Sequence, residues 1–189
     1  MNLNTITTDL NLVRWIQIKM WKYDGSSRPP FADEPNSQQE SVWDYPRPPR
    51  VEISARQIRV ESSTGVVAET SHSLRVIETA SPPVYYLSHQ SVDWTFLRKV
   101  EHSSWCEWKG LASYLIYSDD NIEVIAGWSY EDPSDGFDLL KGYISFYPGV
   151  LNCFLDMEEV LAQPGKFYGG WVTEEISGPL KGGPGTSHW

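Results

Sequence analysis

From residue 50 to residue 155, apolar side chains recur at every second position, in short runs separated by turn formers. A period of two is the signature of β-strands, because successive side chains point to opposite faces. Ile58 and Val60 alternate with Gln57, Arg59 and Glu61, and Ser62-Ser63-Thr64-Gly65 turns the chain into Val66-Val67-Ala68. Leu74 and Val76 repeat the pattern with Ser73 and Arg75, and Val84-Tyr85-Tyr86-Leu87 resumes it after Pro82-Pro83. Residues 111–117 and 122–125 flank Ser118-Asp119-Asp120-Asn121, turn residues between two β-rich runs, which predicts a hairpin. Strands follow at 143–147 and 151–155, and residues 135–140 read as one short helix capped by Ser134 or Asp135. Many short strands at this spacing point to a folded-over antiparallel sheet rather than βαβ units.

A chain of 189 residues fits one domain and can bury a core without disulfides. The flanks carry less order. Leu12, Trp15, Ile16 and Met20 fit a helix over residues 1–24 capped by Thr8-Asp9, and the alternation of Ile16, Ile18 and Met20 fits a strand nearly as well. A loop rich in Gly, Ser and Pro completes an N-terminal extension over 1–39. Gly25-Ser26 with Asp33-Glu34 outlines a nucleotidyltransferase signature, but Pro35 stands where its second carboxylate belongs and Pro29-Pro30 interrupts the strand it needs. Residues 40–49 form a proline-rich strap with Trp43 and Tyr45 as pegs. It belongs with the β domain, taken as 40–155, and 156–189 is expected as a loop-rich extension, its Gly-rich end from residue 182 loosely held.

The net charge of −10 argues against nucleic acid as a partner, because a phosphate backbone would be repelled and no basic run exists. No apolar run approaches the ~20 residues of a membrane span. The N-terminus lacks the basic-then-apolar pattern of a signal peptide, and Cys106 and Cys153 form no framework, so the expected location is cytoplasmic. Nine Trp and ten Tyr exceed what a core of this size needs, so some rings should line a pocket or a surface.

Several segments together resemble the family catalogued as domain of unknown function 427. They are Trp43-Asp44-Tyr45-Pro46-Arg47-Pro48-Pro49, Leu74-Arg75-Val76-Ile77-Glu78-Thr79, Pro82-Pro83-Val84-Tyr85-Tyr86-Leu87, Cys106-Glu107-Trp108-Lys109-Gly110, Ala126-Gly127-Trp128-Ser129-Tyr130 and Gly142-Tyr143-Ile144-Ser145-Phe146-Tyr147. They stand in the family's order over about residues 40–150. The resemblance implies a β-tent-like fold, distantly similar to methionine sulfoxide reductase B, and no known activity. The family often carries Cys-Pro before its Lys-Gly, where this chain has Cys106-Glu107-Trp108. The expected fold is therefore a mainly β, single-domain, β-tent-like antiparallel sheet with one or two short helices.

β-tent relatives often hold zinc through paired Cys-x-x-Cys knuckles. Here two lone cysteines and the scattered His72, His89, His102 and His188 offer no knuckle spacing, so neither a metal nor a cofactor is expected. Cys106 reads as a small buried residue in preference to a nucleophile. Lys109 is the most informative charge. It follows Trp105 and Trp108 and precedes Tyr114, and partial desolvation would depress its pKa and suit it to acid–base work; a lysine packed on Trp108 and paired with a carboxylate is the plainer alternative. The hairpin count sets Lys109 near Tyr130. The reading that results is a domain binding an unidentified small molecule in an aromatic pocket. Lys109 and Tyr130 are the candidate catalytic groups if it is an enzyme, and Tyr114, Trp128, Glu131 and Tyr143 the candidate ligand contacts. The alternative is a protein-interaction or homodimerising module, with Trp43, Tyr45, Trp171 and Trp189 on an exposed aromatic surface.

Overall fold

The computed structural model describes residues 21–165 and 167–189, so the element expected over 1–24 lies almost wholly outside the described residues. In chain order the strands are β1 (Glu40–Ser41), β2 (Arg50–Ser54), β3 (Ile58–Ser62), β4 (Gly65–Thr70), β5 (Ser73–Glu78), β6 (Ser81–Leu87), β7 (Leu97–Cys106), β8 (Gly110–Ser118), β9 (Glu123–Tyr130), β10 (Ile144–Phe146), β11 (Asn152–Leu155), β12 (Glu158–Glu159), β13 (Leu161–Ala162), β14 (Trp171–Val172) and β15 (Ile176–Ser177). The helical content of the described residues is three single 3-10 turns, Val42–Asp44, His89–Ser91 and Asp138–Leu140. The helix expected over 135–140 is thus only the last of these turns, and Phe137 rather than Ser134 or Asp135 precedes it.

Seven strands form one antiparallel sheet in the order β2-β5-β6-β10-β9-β8-β7, and four form a second in the order β12-β11-β3-β4. The sheets enclose a core in which Ile58, Val60, Cys153 and Leu155 of the small sheet meet Tyr85, Leu87, Leu115, Tyr117 and Phe146 of the large one. The period-two alternation then places the intervening side chains on the large sheet's other face. Tyr86, Ala112, Tyr114, Trp128 and Tyr130 gather there with Leu74, Val76 and Trp108, beneath Phe137 and Leu140 of the last turn. A sheet that is apolar on both faces must be covered on both. The second cover is incomplete, and the opening it leaves is the cavity described below.

The strap is fixed by a third cluster, in which Val42, Trp43 and Tyr45 pack on Ile77 and Ala80. Trp43 is fully buried and meets Tyr23, Phe31 and Trp189 edge-on at ring distances of 5.5, 5.2 and 5.3 Å. The C-terminal segment is not an unattached loop. β15 pairs in parallel with β1, β14 pairs with β13, and the Trp189 carbonyl accepts from the Lys181 ammonium at 2.9 Å. The exposed aromatic surface proposed for a protein-interaction role is accordingly not there: Trp43, Tyr45 and Trp171 are buried, and Trp189 stacks on Phe31. Among the described residues no helix is long and apolar enough to cross a membrane.

Candidate functional site

The β7–β8 turn places the central charge. Cys106 pairs with Gly110 across it, and Gly110 adopts φ +89°, a left-handed conformation that favours glycine. The Lys109 carbonyl accepts from the Ser134 amide at 3.1 Å, which ties the turn to the loop after β9. Cys106, Trp108 and Lys109 line a partly enclosed cavity of about 260 Å³.

The wall opposite comes from alternate positions of neighbouring strands. The register Ala112↔Tyr130 and Tyr114↔Trp128 sets these four residues side by side, and all four line the cavity. Tyr86 adds its phenol from β6. It accepts from the Trp128 indole N–H at 3.1 Å and meets the Trp128 ring edge-on. Tyr114 exchanges a hydrogen bond with Ser104 at 2.8 Å, and Tyr147 packs on Trp128 at 4.5 Å between ring centres. The rim is made by Trp105, which is largely exposed, and by Phe167, Tyr168 and Gly169. Buried Gln163 holds this rim in place, accepting from the Gly170 amide and donating to the Lys181 carbonyl.

Lys109 and Tyr130, the sequence candidates for catalysis, and Tyr114 and Trp128, candidates for ligand contact, thus line one cavity. Glu131 and Tyr143 do not. Along β9 the odd positions face away from Trp128 and Tyr130, so Glu131 lies on the opposite side, where it pairs with Lys99 at 2.7 Å and accepts from the Ser129 hydroxyl at 2.7 Å. Lys99 holds its carboxyl below the usual range. Glu131 and Tyr143 line a second, more open hollow with Lys99, Lys141, His89 and Trp94.

The electrostatics also depart from expectation. Burial disfavours the Lys109 ammonium, but the Tyr86 hydroxyl, the Cys106 thiol and Glu78 outweigh it, so its pKa is raised rather than depressed. Lys109 therefore stays a cation. Burial, reinforced by Tyr86 and Cys106, pushes the Tyr130 phenol up, so it remains protonated and can donate but not act as a base at neutral pH. Nearer the rim stand Glu78 and Glu107. Glu78 has the Arg47 guanidinium at 3.4 Å. Burial and the Glu78 charge raise Glu107, against the opposing pull of Lys181 and Arg47. Lys181, in turn, is lowered by burial. Among the described residues no carboxylate lies within ion-pair distance of the Lys109 ammonium, and no three His, Cys, Asp or Glu side chains come together as metal ligands.

Sequence reasoning missed Cys106, Tyr86 and Tyr147 as cavity residues. Cys106 and Lys109 are three apart across a tight turn, a spacing that brings their side chains together. Nothing local identified the rim at 163–181.

No curated protein matches the chain significantly. The model of a family described as a domain of unknown function (DUF427) matches residues 50–160, more than half of the chain, and the chain belongs to that family.

Proposed function

We propose that the cavity binds a small, ring-bearing anion, with Lys109 as its charge partner and the surrounding rings as its walls. The observation that carries this reading is the Lys109 ammonium itself. It lines the cavity, stays charged, and lacks a close carboxylate among the described residues, whereas Glu78 already has Arg47. Holding a charge out of water costs several kcal/mol unless it is paired. A ligand carboxylate would supply the pairing, and Tyr86 and Tyr130 would share its oxygens. Trp128 and Tyr114 line the cavity and supply ring surface on which an aromatic ligand would stack. The volume, about 260 Å³, lies just below the ~300–1,000 Å³ typical of small-molecule pockets and suits a single substituted ring. If the site is catalytic, the protonated Tyr130 hydroxyl is the group that can donate to an oxygen held by Lys109.

The test compares benzoate and indole-3-carboxylate with their amides by thermal shift and calorimetry. The carboxylates should raise the unfolding midpoint and the amides should not. Lys109→Met should remove the response. Because the Lys109 pKa is raised, its charge is complete below the ordinary lysine value of about 10.4 and is lost only above it, so carboxylate binding should not weaken as the pH rises from 7 to about 10. Equal responses to acid and amide, or a Lys109→Met variant that still binds, would overturn the proposal.

A further inference from the structure

The cavity contains a nucleophilic group that anion binding alone does not use. Cys106 ends β7 and lines the same cavity as Lys109 and Tyr130, packed against the cluster that holds Tyr130 and Trp108. The other cysteine is its opposite. Cys153 is fully buried between the two sheets, its thiol points to the Leu151 carbonyl at 3.7 Å, and burial pushes its pKa up. A second feature of the same wall points to a ligand independently of the thiol. Trp108 is 5% exposed and lines the cavity, and its indole N–H finds no acceptor among the described residues. An orphaned buried donor costs about 1–3 kcal/mol, and the ring that carries it stands on this cavity's wall.

We infer that Cys106 is a covalent capture site for α,β-unsaturated carboxylates, whose electrophilic β-carbon lies two carbons from the carboxylate. This rests on the proposed anion-binding role of the same cavity. Lys109 holds the carboxylate, which fixes the adjacent carbons at the thiol and converts a bimolecular encounter into a positioned one. The Cys106 sulfur forms a bond to the β-carbon as the C=C π pair moves to the α-carbon. The α-carbon takes a proton from the Tyr130 hydroxyl, and the proton lost by the thiol restores that hydroxyl through solvent. The sum is addition of S–H across the double bond, with no oxidant, reductant or co-reactant. Cys106 is half-buried, and Trp105 and Phe167, which line the same cavity, are exposed.

The experiment uses two alkylating probes that differ in charge, iodoacetate and iodoacetamide. With either, sulfur displaces iodide, which leaves with the bonding pair, and the thiol proton passes to buffer. Labelling of the full chain is followed by peptide mass mapping, with the urea-unfolded chain as reference. Cys106 should be labelled in the folded protein while Cys153 stays protected, which also certifies the fold. The iodoacetate-to-iodoacetamide rate ratio at Cys106 should exceed the unfolded ratio about tenfold, the lower end of what a focused charge adds to an encounter rate. Lys109→Met should return the ratio to the unfolded value, and Lys109→Arg should keep most of it. Acrylate should then protect Cys106 from iodoacetamide by adding to it, with the mass increase of one acrylate. If neither probe labels Cys106 although benzoate still binds, the capture site is refuted and the anion site stands. If Cys106 is labelled without any preference for iodoacetate, the anion reading falls, and with it the inference built on it.

Discussion

The loop that closes the cavity touches Trp128 through Gly169, and this makes Gly169→Ala a direct test of the arrangement. A Cβ at position 169 would lie 2.2 Å from Cη2 and 2.6 Å from Cζ3 of Trp128, and 3.1 Å from Cδ1 of Tyr147. Carbon atoms pack at about 3.5–4.0 Å, so one partner must move by more than 1 Å. Trp128 is poorly placed to yield. It is 7% exposed, its indole donates to Tyr86, and Tyr147 covers its ring. Overpacking of this kind costs about 1–3 kcal/mol, and losing the Trp128–Tyr86 hydrogen bond would add about 0.5–1.5 kcal/mol. We expect a loss near 2 kcal/mol in urea unfolding, or about 4–8 °C in midpoint for a chain of this size. We also expect weaker benzoate binding, because a displaced Trp128 moves into the cavity. Gly183→Ala is the control, since a Cβ there meets nothing within 4 Å, and it should stay within about 0.5 kcal/mol. A Gly169→Ala protein as stable as the control, with unchanged binding, would show that the rim is not seated on Trp128.

Two further predictions concern the framework. Trp43→Ala removes a fully buried indole from between Tyr23, Phe31 and Trp189 and should cost about 3–5 kcal/mol in urea unfolding, while Trp43→Phe should cost much less because the indole N–H has no acceptor; a loss below about 1 kcal/mol for the alanine variant would contradict the docking of strap and C-terminus. Glu40 carries the acid sensitivity of the same region: burial would raise its pKa, but Arg75 and the Tyr45 hydroxyl, which donates at 2.7 Å, lower it overall. A folded value below the unfolded one stabilises above the ordinary glutamate pKa and is lost as pH falls through the folded value. Glu40→Gln should therefore cost about 1 kcal/mol at pH 7, discounted for the half-exposed carboxylate, and nothing once both proteins are measured well below pH 4; a difference that persists in acid would refute the assignment.

How much of this was legible follows from which features have a period. The hairpin was, because Ser118-Asp119-Asp120-Asn121 is a turn between two alternating runs, and β8 and β9 meet there. Counting outward from it brought Lys109 to Tyr130, and the observed register ends at Ala112↔Tyr130 with Lys109 just beyond. The bulge between Leu115 and Ile116 could not be counted: it lies on the turn side of Tyr114 and shifts the register by one, pairing Tyr114 with Trp128 where an unbroken ladder would pair it with Gly127. Glu131 falls outside this cavity for a reason the sequence did contain. Trp128-Ser129-Tyr130 ends β9 and Glu131 follows directly, so continuing the alternation by one residue separates Glu131 from the two rings. The raised pKa of Lys109 was not accessible, since, beside the neighbouring Cys106, its causes, Tyr86 and Glu78, come from strands more than twenty residues away.

The rim lay beyond reach for a different reason. Gln163, Phe167, Tyr168, Gly169 and Lys181 have no shared period and are assembled by side-chain-to-backbone bonds, such as those of Gln163 to residues 170 and 181. They also lie past residue 160, where the family match ends, whereas Cys106, Lys109, Tyr86 and Tyr130 lie within it. The cavity is therefore composite. Its ammonium, thiol and phenols come from the sheet and turn of the matched region, set by strand register that a sequence reveals. Apart from Trp105 of β7, its opening is bounded by a segment set by individual contacts. Substitution in the rim should change which molecules fit, and substitution at Lys109 should change whether an anion is held at all, because shape at the mouth and charge on the inner wall come from different parts of the chain.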